Sequence, residues 1–170
     1  KANNPDLNVV FTNQCENPAN FLAHYNTTAP EMWLQSGGRI DGVALSAGTG
    51  GTIAGIVTFL RDCASTAKCY LVDGQGSGLF RFLTEGQFAP RENVAGTKVM
   101  EGIGIMRLTR NFAMVAQQPP AQMELDGAYF VTDREGVEMC YYLLRNEGLM
   151  VGPSAALNVV GAVKLARQLG

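Results

Sequence analysis

The sequence predicts an α/β fold: an open, mostly parallel sheet with helices on both faces, incomplete at its N-terminal side. Short apolar runs alternate along the chain with amphipathic segments of helical period, the pattern of repeated βα units. Glycine-rich turns join several apolar runs to the helical segments behind them, and no internal repeat or low-complexity stretch interrupts the series. The chain has 170 residues, of which 46% are apolar and only 16% charged. That is enough apolar material for a real core, and it excludes disorder.

Taken in order, Leu7 to Thr12 reads as a short strand behind a polar opening. Asn20 to Gln35 carries helical periodicity, which Asn26-Thr27-Thr28-Ala29-Pro30 is expected to break, because proline disfavours helix in the residue before it. A second helix then starts near Pro30 or Glu31 and stops at Gly37-Gly38. Asp41 to Ala47 is a mostly apolar strand, followed by the turn Gly48-Thr49-Gly50-Gly51-Thr52. The helix Ile53 to Asp62 then places Ile53, Ile56, Val57 and Leu60 on one face. Lys68 to Asp73 is the next strand. Gly74 to about Arg110 is rich in turn residues and reads as an irregular excursion or a lid. Phe112 to Ala116 is expected to pair at an edge, and Gln117 to Pro120 to form an exposed loop. Gly127 to Val131 is a strand, and Thr132-Asp133-Arg134-Glu135 has capping-box spacing for a helix to about Asn146. Leu149 to Val151 reads as a short buried strand, and Ser154 to Leu169 as a helix after the Gly152-Pro153 turn.

Simple counts exclude several function classes. Thirteen basic against fifteen acidic residues give a net charge of −2, which offers no electrostatic footprint for nucleic acid. No apolar run is long enough to span a bilayer. Cys15, Cys63, Cys69 and Cys140 form no CxxC pair, which points to thiols in a reducing compartment, cytosol or mitochondrial matrix. His24 is the one histidine, so a histidine-rich metal centre is closed off within the chain and no metal site is expected.

The strand–turn–helix at Gly48, Thr49, Gly50, Gly51 and Thr52 is the sharpest local signal. N–H groups at a helix start lack intrahelical partners and the helix dipole favours an anion there, so a phosphate cup is the functional reading. A tight turn with no ligand is the bland one. Thr52 stands where a Walker loop needs lysine, and Ile53 falls where a dinucleotide fingerprint needs its third glycine. Asp73, ending the following strand, keeps a nucleotide-binding domain open, since a ribose-reading acid stands near there. Ser154 at the start of the last helix is by itself an ordinary N-cap, and Asn13-Gln14 an ordinary polar strand end. Three polar strand ends in one parallel sheet would nonetheless converge on one crevice.

The run Asn13-Gln14-Cys15-Glu16-Asn17-Pro18-Ala19-Asn20, then His24-Tyr25, Pro30-Glu31-x-Trp33 and the Gly48–Thr52 loop, strongly resembles cysteine synthase. That family is the O-acetylserine sulfhydrylase branch of the pyridoxal-phosphate enzymes of fold type II. Asp73-x-x-Gly76-Ser77, Glu101-Gly102-Ile103-Gly104 and Gly152-Pro153-Ser154 continue the match in order, over essentially the whole chain. The resemblance implies pyridoxal 5'-phosphate as cofactor, its phosphate in the Gly48–Thr52 loop and its ring nitrogen at Ser154. It implies Gln14 at the substrate carboxylate, with Gly102 and Gly104 in the turn beside the cofactor. The implied reaction forms L-cysteine from O-acetyl-L-serine and sulfide; cystathionine β-synthase and β-cyanoalanine synthase types, or a non-catalytic relative, are the alternatives. His24 has no implied catalytic counterpart and reads as structural.

Departures accompany the match. Ala155-Ala156 replaces a Ser-Gly pair, Gly74 replaces a proline, and Arg91 to Met100 matches nothing in the family pattern. The family's Schiff-base lysine and its Ser/Thr-Asn substrate loop stand before the motif at Asn13. The expectation is therefore a C-terminal portion of the cofactor-binding domain, with no catalytic lysine of its own. Its partners would be the missing N-terminal segment and, as in many relatives, a second copy in a homodimer.

Overall fold

The computed structural model describes residues 10–89, 99–118 and 122–170. The first helical stretch runs from α1 (Ala19–Ala23) through a π-helical turn (His24–Thr28) directly into α2 (Ala29–Gln35). The break expected at Asn26–Pro30 does not occur. The wider π turn lets the Ala29 N–H reach back to the His24 carbonyl, and Pro30, which has no N–H to place, falls at the start of α2. Gly37 and Gly38, both at positive φ, end α2 as expected.

β1 (Gly42–Leu45) leads through the glycine turn into α3 (Gly51–Asp62), and β2 (Lys68–Gly74) follows. α4 (Leu79–Glu85) lies inside the stretch expected to be irregular; it buries Leu79, Phe82 and Leu83. Residues 90–98, which include most of the unmatched Arg91–Met100 segment, lie outside the described residues. α5 (Arg110–Ala113) takes Phe112 and Ala113 out of the expected Phe112–Ala116 edge strand, because the Thr109 hydroxyl caps this helix by accepting the Phe112 N–H. β3 (Ala116–Gln118) and β4 (Gln122–Met123) form a separate antiparallel pair, so Gln117 and Gln118 belong to a strand. Pro119 and Pro120 lie outside the described residues.

β5 (Gly127–Val131) matches its expected bounds, and the Thr132–Glu135 capping box opens α6 (Asp133–Tyr142), which passes into a second π turn (Leu143–Glu147). α7 (Pro153–Leu169) closes the chain. Leu149 to Val151 is not a strand: Met150 is 87% exposed, and the segment joins no strand ladder. Of the expected strand at Leu7 to Thr12, residues 10–12 are irregular and the rest lies outside the described residues.

β1, β2 and β5 form a parallel sheet in that spatial order, with Gly42 opposite Lys68 and Tyr70 opposite Gly127. Its two faces bury different sets, as the period of two along a strand demands. Val43, Cys69 and Leu71 pack with Ile53, Val57 and Leu60 of α3. Val72 and Val131 pack with Leu157 and Val160 of α7, with Ala44 against them. Helices therefore cover both faces, and the carboxyl ends of all three strands open on one side, where ligands of such sheets sit.

Candidate functional site

Past the end of β1, a crevice of about 340 Å³ is lined by Leu45, Ser46, Gly48, Thr49, Thr52, Gly102, Ile103 and Asn158. That volume falls at the lower end of the range for small-ligand sites. A larger groove of about 880 Å³, lined by Arg39, Asp41, Lys68 and Leu169 among others, runs along β1 at the opposite end of the strands. The smaller crevice is the candidate site, because there helix starts and strand ends meet.

Its floor is the glycine turn. Gly50 takes φ +85°, a conformation glycine adopts without strain, and an added Cβ there would lie 2.5 Å from the Phe112 Cβ. Gly51 is closed off by Asn20: an added Cβ would lie 1.9 Å from Asn20 Oδ1. Gly50 and Gly51 are buried behind the crevice rather than lining it. α3 has no side-chain cap from its N-cap residue Gly50, and of its first-turn N–H groups that of Gly51 donates to Thr49 Oγ1 over 3.4 Å; a helix start of this kind favours an anion. α7 likewise starts without a side-chain cap, with Pro153 in its first turn. α5 and α6, which do not line the crevice, are closed by Thr109 and Thr132.

Two polar clusters fix the walls. Asn158, one turn into α7, accepts the Ser46 N–H at 2.5 Å and donates to Ser46 Oγ at 2.9 Å and to the Ser154 carbonyl at 2.8 Å. This joins the start of α7 to the end of β1, so Ser154 lies next to the crevice without lining it. On the other side the Gly102 turn leans over the loop: an added Cβ on Gly48 would lie 3.0 Å from the Gly102 carbonyl oxygen. Gly102 and Gly104 both take positive φ, and the Gly104 N–H donates to the Ala47 carbonyl at 2.8 Å. Gly104 therefore supports the wall from behind.

Gln14 is exposed and stands beside the crevice, outside its lining. Its backbone is held from two directions. Asn20 Nδ2 donates to the Gln14 carbonyl at 2.8 Å, and the fully buried Asn111 donates to the carbonyls of Gln14 and Cys15. The next residue, Glu16, receives the Arg107 guanidinium at 2.5 Å and the Arg110 N–H at 2.9 Å; these hold its carboxyl below the usual carboxylate range. Thr109 Oγ1 donates to the Thr49 carbonyl at 2.7 Å, so the segment 107–111 clamps both the Gln14 turn and the glycine loop.

Asp73 is 1% exposed and its Oδ2 accepts the Phe80 N–H at 2.7 Å, so the carboxylate is turned into α4 and is not presented to a ribose. Lys68 pairs with Asp126 at the entry end of β2, and Lys164 with Glu135; among the described residues no lysine lines the crevice. No group of His, Cys, Asp and Glu suited to a metal occurs among the described residues. His24 reaches the site indirectly, with Nε2 3.0 Å from Thr52 Oγ1 and Nδ1 3.0 Å from Thr28 Oγ1. Asn158, Asn111 and Thr109 were not found by sequence reasoning; Thr109 alone left a signal, as a hydroxyl residue directly before the Arg110–Ala113 turn of helix.

Comparison with known proteins bears on the family and the fold. A family model described as pyridoxal-phosphate dependent enzyme matches residues 2–170. A cysteine synthase of Dictyostelium discoideum is 43% identical over 166 residues, covering 94% of this chain and 42% of that protein. Cysteine synthase 2 of Schizosaccharomyces pombe is 42% identical over 167 residues, covering 94% and 41%. The crystal structure of an O-acetylserine dependent cystathionine beta-synthase from Helicobacter pylori is similar, with a TM-score of 0.79 and 29% identity, covering 99% of this chain and 48% of that one. The chain spans less than half the length of these relatives.

Proposed function

We propose, since this chain belongs to the pyridoxal-phosphate dependent enzyme family, that the complete protein forms L-cysteine from O-acetyl-L-serine and sulfide. The curated relatives at 42–43% identity are named cysteine synthases, which supports that substrate pair over the cystathionine type. The observation that carries the reading is the crevice itself, where the Gly48–Thr52 turn and the start of α7 are joined through Ser46 and Asn158.

The residues present fit a phosphorylated pyridine. The uncapped first turn of α3, the Thr49 and Thr52 hydroxyls and the close backbone at Gly48 suit a phosphate ester. Ser154 opens α7 beside the opposite wall and would meet the ring nitrogen with a neutral hydroxyl. When bound, the cofactor supplies an electron sink for removal of the substrate's α-proton and loss of its β-substituent. A serine in place of a carboxylate leaves the ring nitrogen largely unprotonated and the sink mild, which suits loss of acetate, a good leaving group. Gln14, its backbone fixed by Asn20 and Asn111, would donate to the substrate carboxylate. Gly102 would leave room for the substrate alongside.

The covalent lysine is not among these groups. We assign it, with the rest of the carboxylate clamp and the smaller domain, to a segment upstream of residue 1; residues 1–170 are then the C-terminal portion of the cofactor-binding domain. Exposure of the apolar side chains Tyr141, Leu144, Leu149 and Met150 supports a further covering surface, such as a second copy in a homodimer. Four free thiols support a reducing compartment, cytosol or mitochondrial matrix. No helix among the described residues is long and apolar enough to cross a membrane.

The test is reconstitution of the complete protein with pyridoxal 5'-phosphate. A visible absorbance band and sulfide-dependent production of cysteine from O-acetylserine are expected. A folded protein that takes up no cofactor would overturn the reading, and turnover with homocysteine but not sulfide would move it to the cystathionine type.

A further inference from the structure

We infer that Asn20 is a positioning residue that fixes the Thr49 hydroxyl as a donor toward the bound anion and couples it to the Gln14 turn. The inference rests on the reading of Gly48–Thr52 as a phosphate cup. Asn20 Nδ2 carries two hydrogens, and both are used: one goes to the Gln14 carbonyl at 2.8 Å, the other to Thr49 Oγ1 at 2.9 Å. The orientation of the amide is settled chemically. A backbone carbonyl can only accept, so the nitrogen, not the oxygen, must face Gln14, and the same nitrogen faces Thr49.

The consequence falls on Thr49. Its Oγ1 accepts from Asn20 and, over a longer 3.4 Å, from the Gly51 N–H, which occupies both lone pairs. Its own hydrogen is then what it has left to offer. A threonine without these donors could rotate and turn a lone pair toward a phosphate oxygen; this one presents a proton. Meanwhile its carbonyl is held by Thr109, so the residue is pinned at both ends. Gly51 is part of the same device, because any Cβ there would occupy the place of Asn20 Oδ1. One amide thus ties the residue assigned to the substrate carboxylate to a residue assigned to the cofactor phosphate.

The test uses the complete protein and its apo form. Pyridoxal 5'-phosphate affinity is measured by equilibrium dialysis, and inorganic phosphate affinity by thermal shift. Asn20→Ala is expected to weaken both about tenfold, the scale of one hydrogen bond to a charged group. Asn20→Asp is expected to weaken them further, since a carboxylate takes the Thr49 proton and faces the anion. In a Thr49→Val background, Asn20→Ala is expected to change either affinity by less than about twofold, because the group it orients is gone. Independent losses at the two positions, or Asn20→Asp milder than Asn20→Ala, would reduce Asn20 to a packing residue and overturn the inference while leaving the cup intact. Wild-type protein that binds neither ligand would overturn the cup and the inference together.

Discussion

Removing Asn158 should loosen the joint between the end of β1 and the start of α7 without touching the glycine loop. The side chain makes three hydrogen bonds, to the Ser46 N–H, Ser46 Oγ and the Ser154 carbonyl. At about 1 kcal/mol net each, Asn158→Ala is expected to cost about 2–3 kcal/mol. The site is half-buried, so water can re-satisfy part of the Ser46 N–H, which places the value toward the lower figure. Asn158→Asp keeps an acceptor for the Ser46 N–H but loses both donations, and should cost about 1–2 kcal/mol. Ser46→Ala loses only the hydroxyl contact and should cost about 0.5–1 kcal/mol. Urea unfolding of the complete protein, followed by circular dichroism, gives the order of stabilities, and cofactor dialysis gives a second readout. The Ala variant should lose affinity as the two walls separate. The Asp variant, less damaged in stability, should lose more affinity, because it adds a negative charge to the lining of the crevice proposed to take a phosphate. A cost below about 0.5 kcal/mol for Asn158→Ala, with cofactor affinity unchanged, would refute the idea that this residue holds the crevice together.

Four further outcomes are expected. Partial burial pushes the Asp126 carboxyl upward, but the Cys69 N–H, Lys68 and Arg61 outweigh it and hold it below the usual range. The stability from this depressed group is present above about pH 4 and lost as pH falls through its folded value, so Asp126→Asn should lower stability at pH 7 and flatten the acid limb of an unfolding titration. Burial pushes the Cys69 thiol up to about 11 and it is 0% exposed, so iodoacetamide at pH 8 should modify the exposed Cys63 and spare Cys69 until the protein unfolds, as peptide mass spectrometry would show. Gly55→Ala would place a methyl 2.7 Å from His24 Cβ and the Tyr25 backbone nitrogen, and should destabilise by about 1–3 kcal/mol in thermal unfolding. Asn111→Ala, which frees the Cys15 carbonyl and leaves the Gln14 carbonyl to Asn20 alone, should raise the KM of the complete protein for the proposed substrate O-acetylserine more than it lowers kcat, and equal changes in both would argue against a role at the substrate side.

The parts of the fold legible in the sequence were those decided by neighbours along the chain. β5 and the Thr132–Glu135 capping box were placed closely, since apolar run, cap and reciprocal acid all lie within a few residues. The strand–glycine–helix unit at Asp41–Asp62 was legible for the same reason. The continuous passage through His24–Thr28 was not, because a π turn has no composition of its own and the local reading of Pro30 pointed to a break. Leu149–Val151 was misread because three apolar residues look the same whether or not a strand lies beside them. At the crevice, the residues proposed to face a ligand were readable from motif, while those that hold the backbone around them were not. Asn158 is a polar residue inside a helix, and Asn111 a polar residue in a short turn of helix. Each acts through partners far away in sequence, 112 and 97 positions for Ser46 and Gln14.

That division has a structural cause in the contact between α1 and α3. Gly51 and Gly55 stand one turn apart on α3, and Asn20 and His24 stand one turn apart on the helical stretch lying over it. Each pair meets: Gly51 against Asn20, Gly55 against His24. Because both glycines lack a side chain, the two helices approach closely enough for Asn20 to reach Thr49 and His24 to reach Thr52. A larger residue at either position would push the helix away and withdraw its polar groups from the loop together. Packing and polar positioning are therefore one contact here. The glycines of the turn make room for different neighbours, the Gly102 carbonyl at Gly48 and a neighbouring helix at Gly51. The uninterrupted π turn matters for the same reason, since a kink after Ala23 would leave Asn20 in place and swing His24 off Thr52.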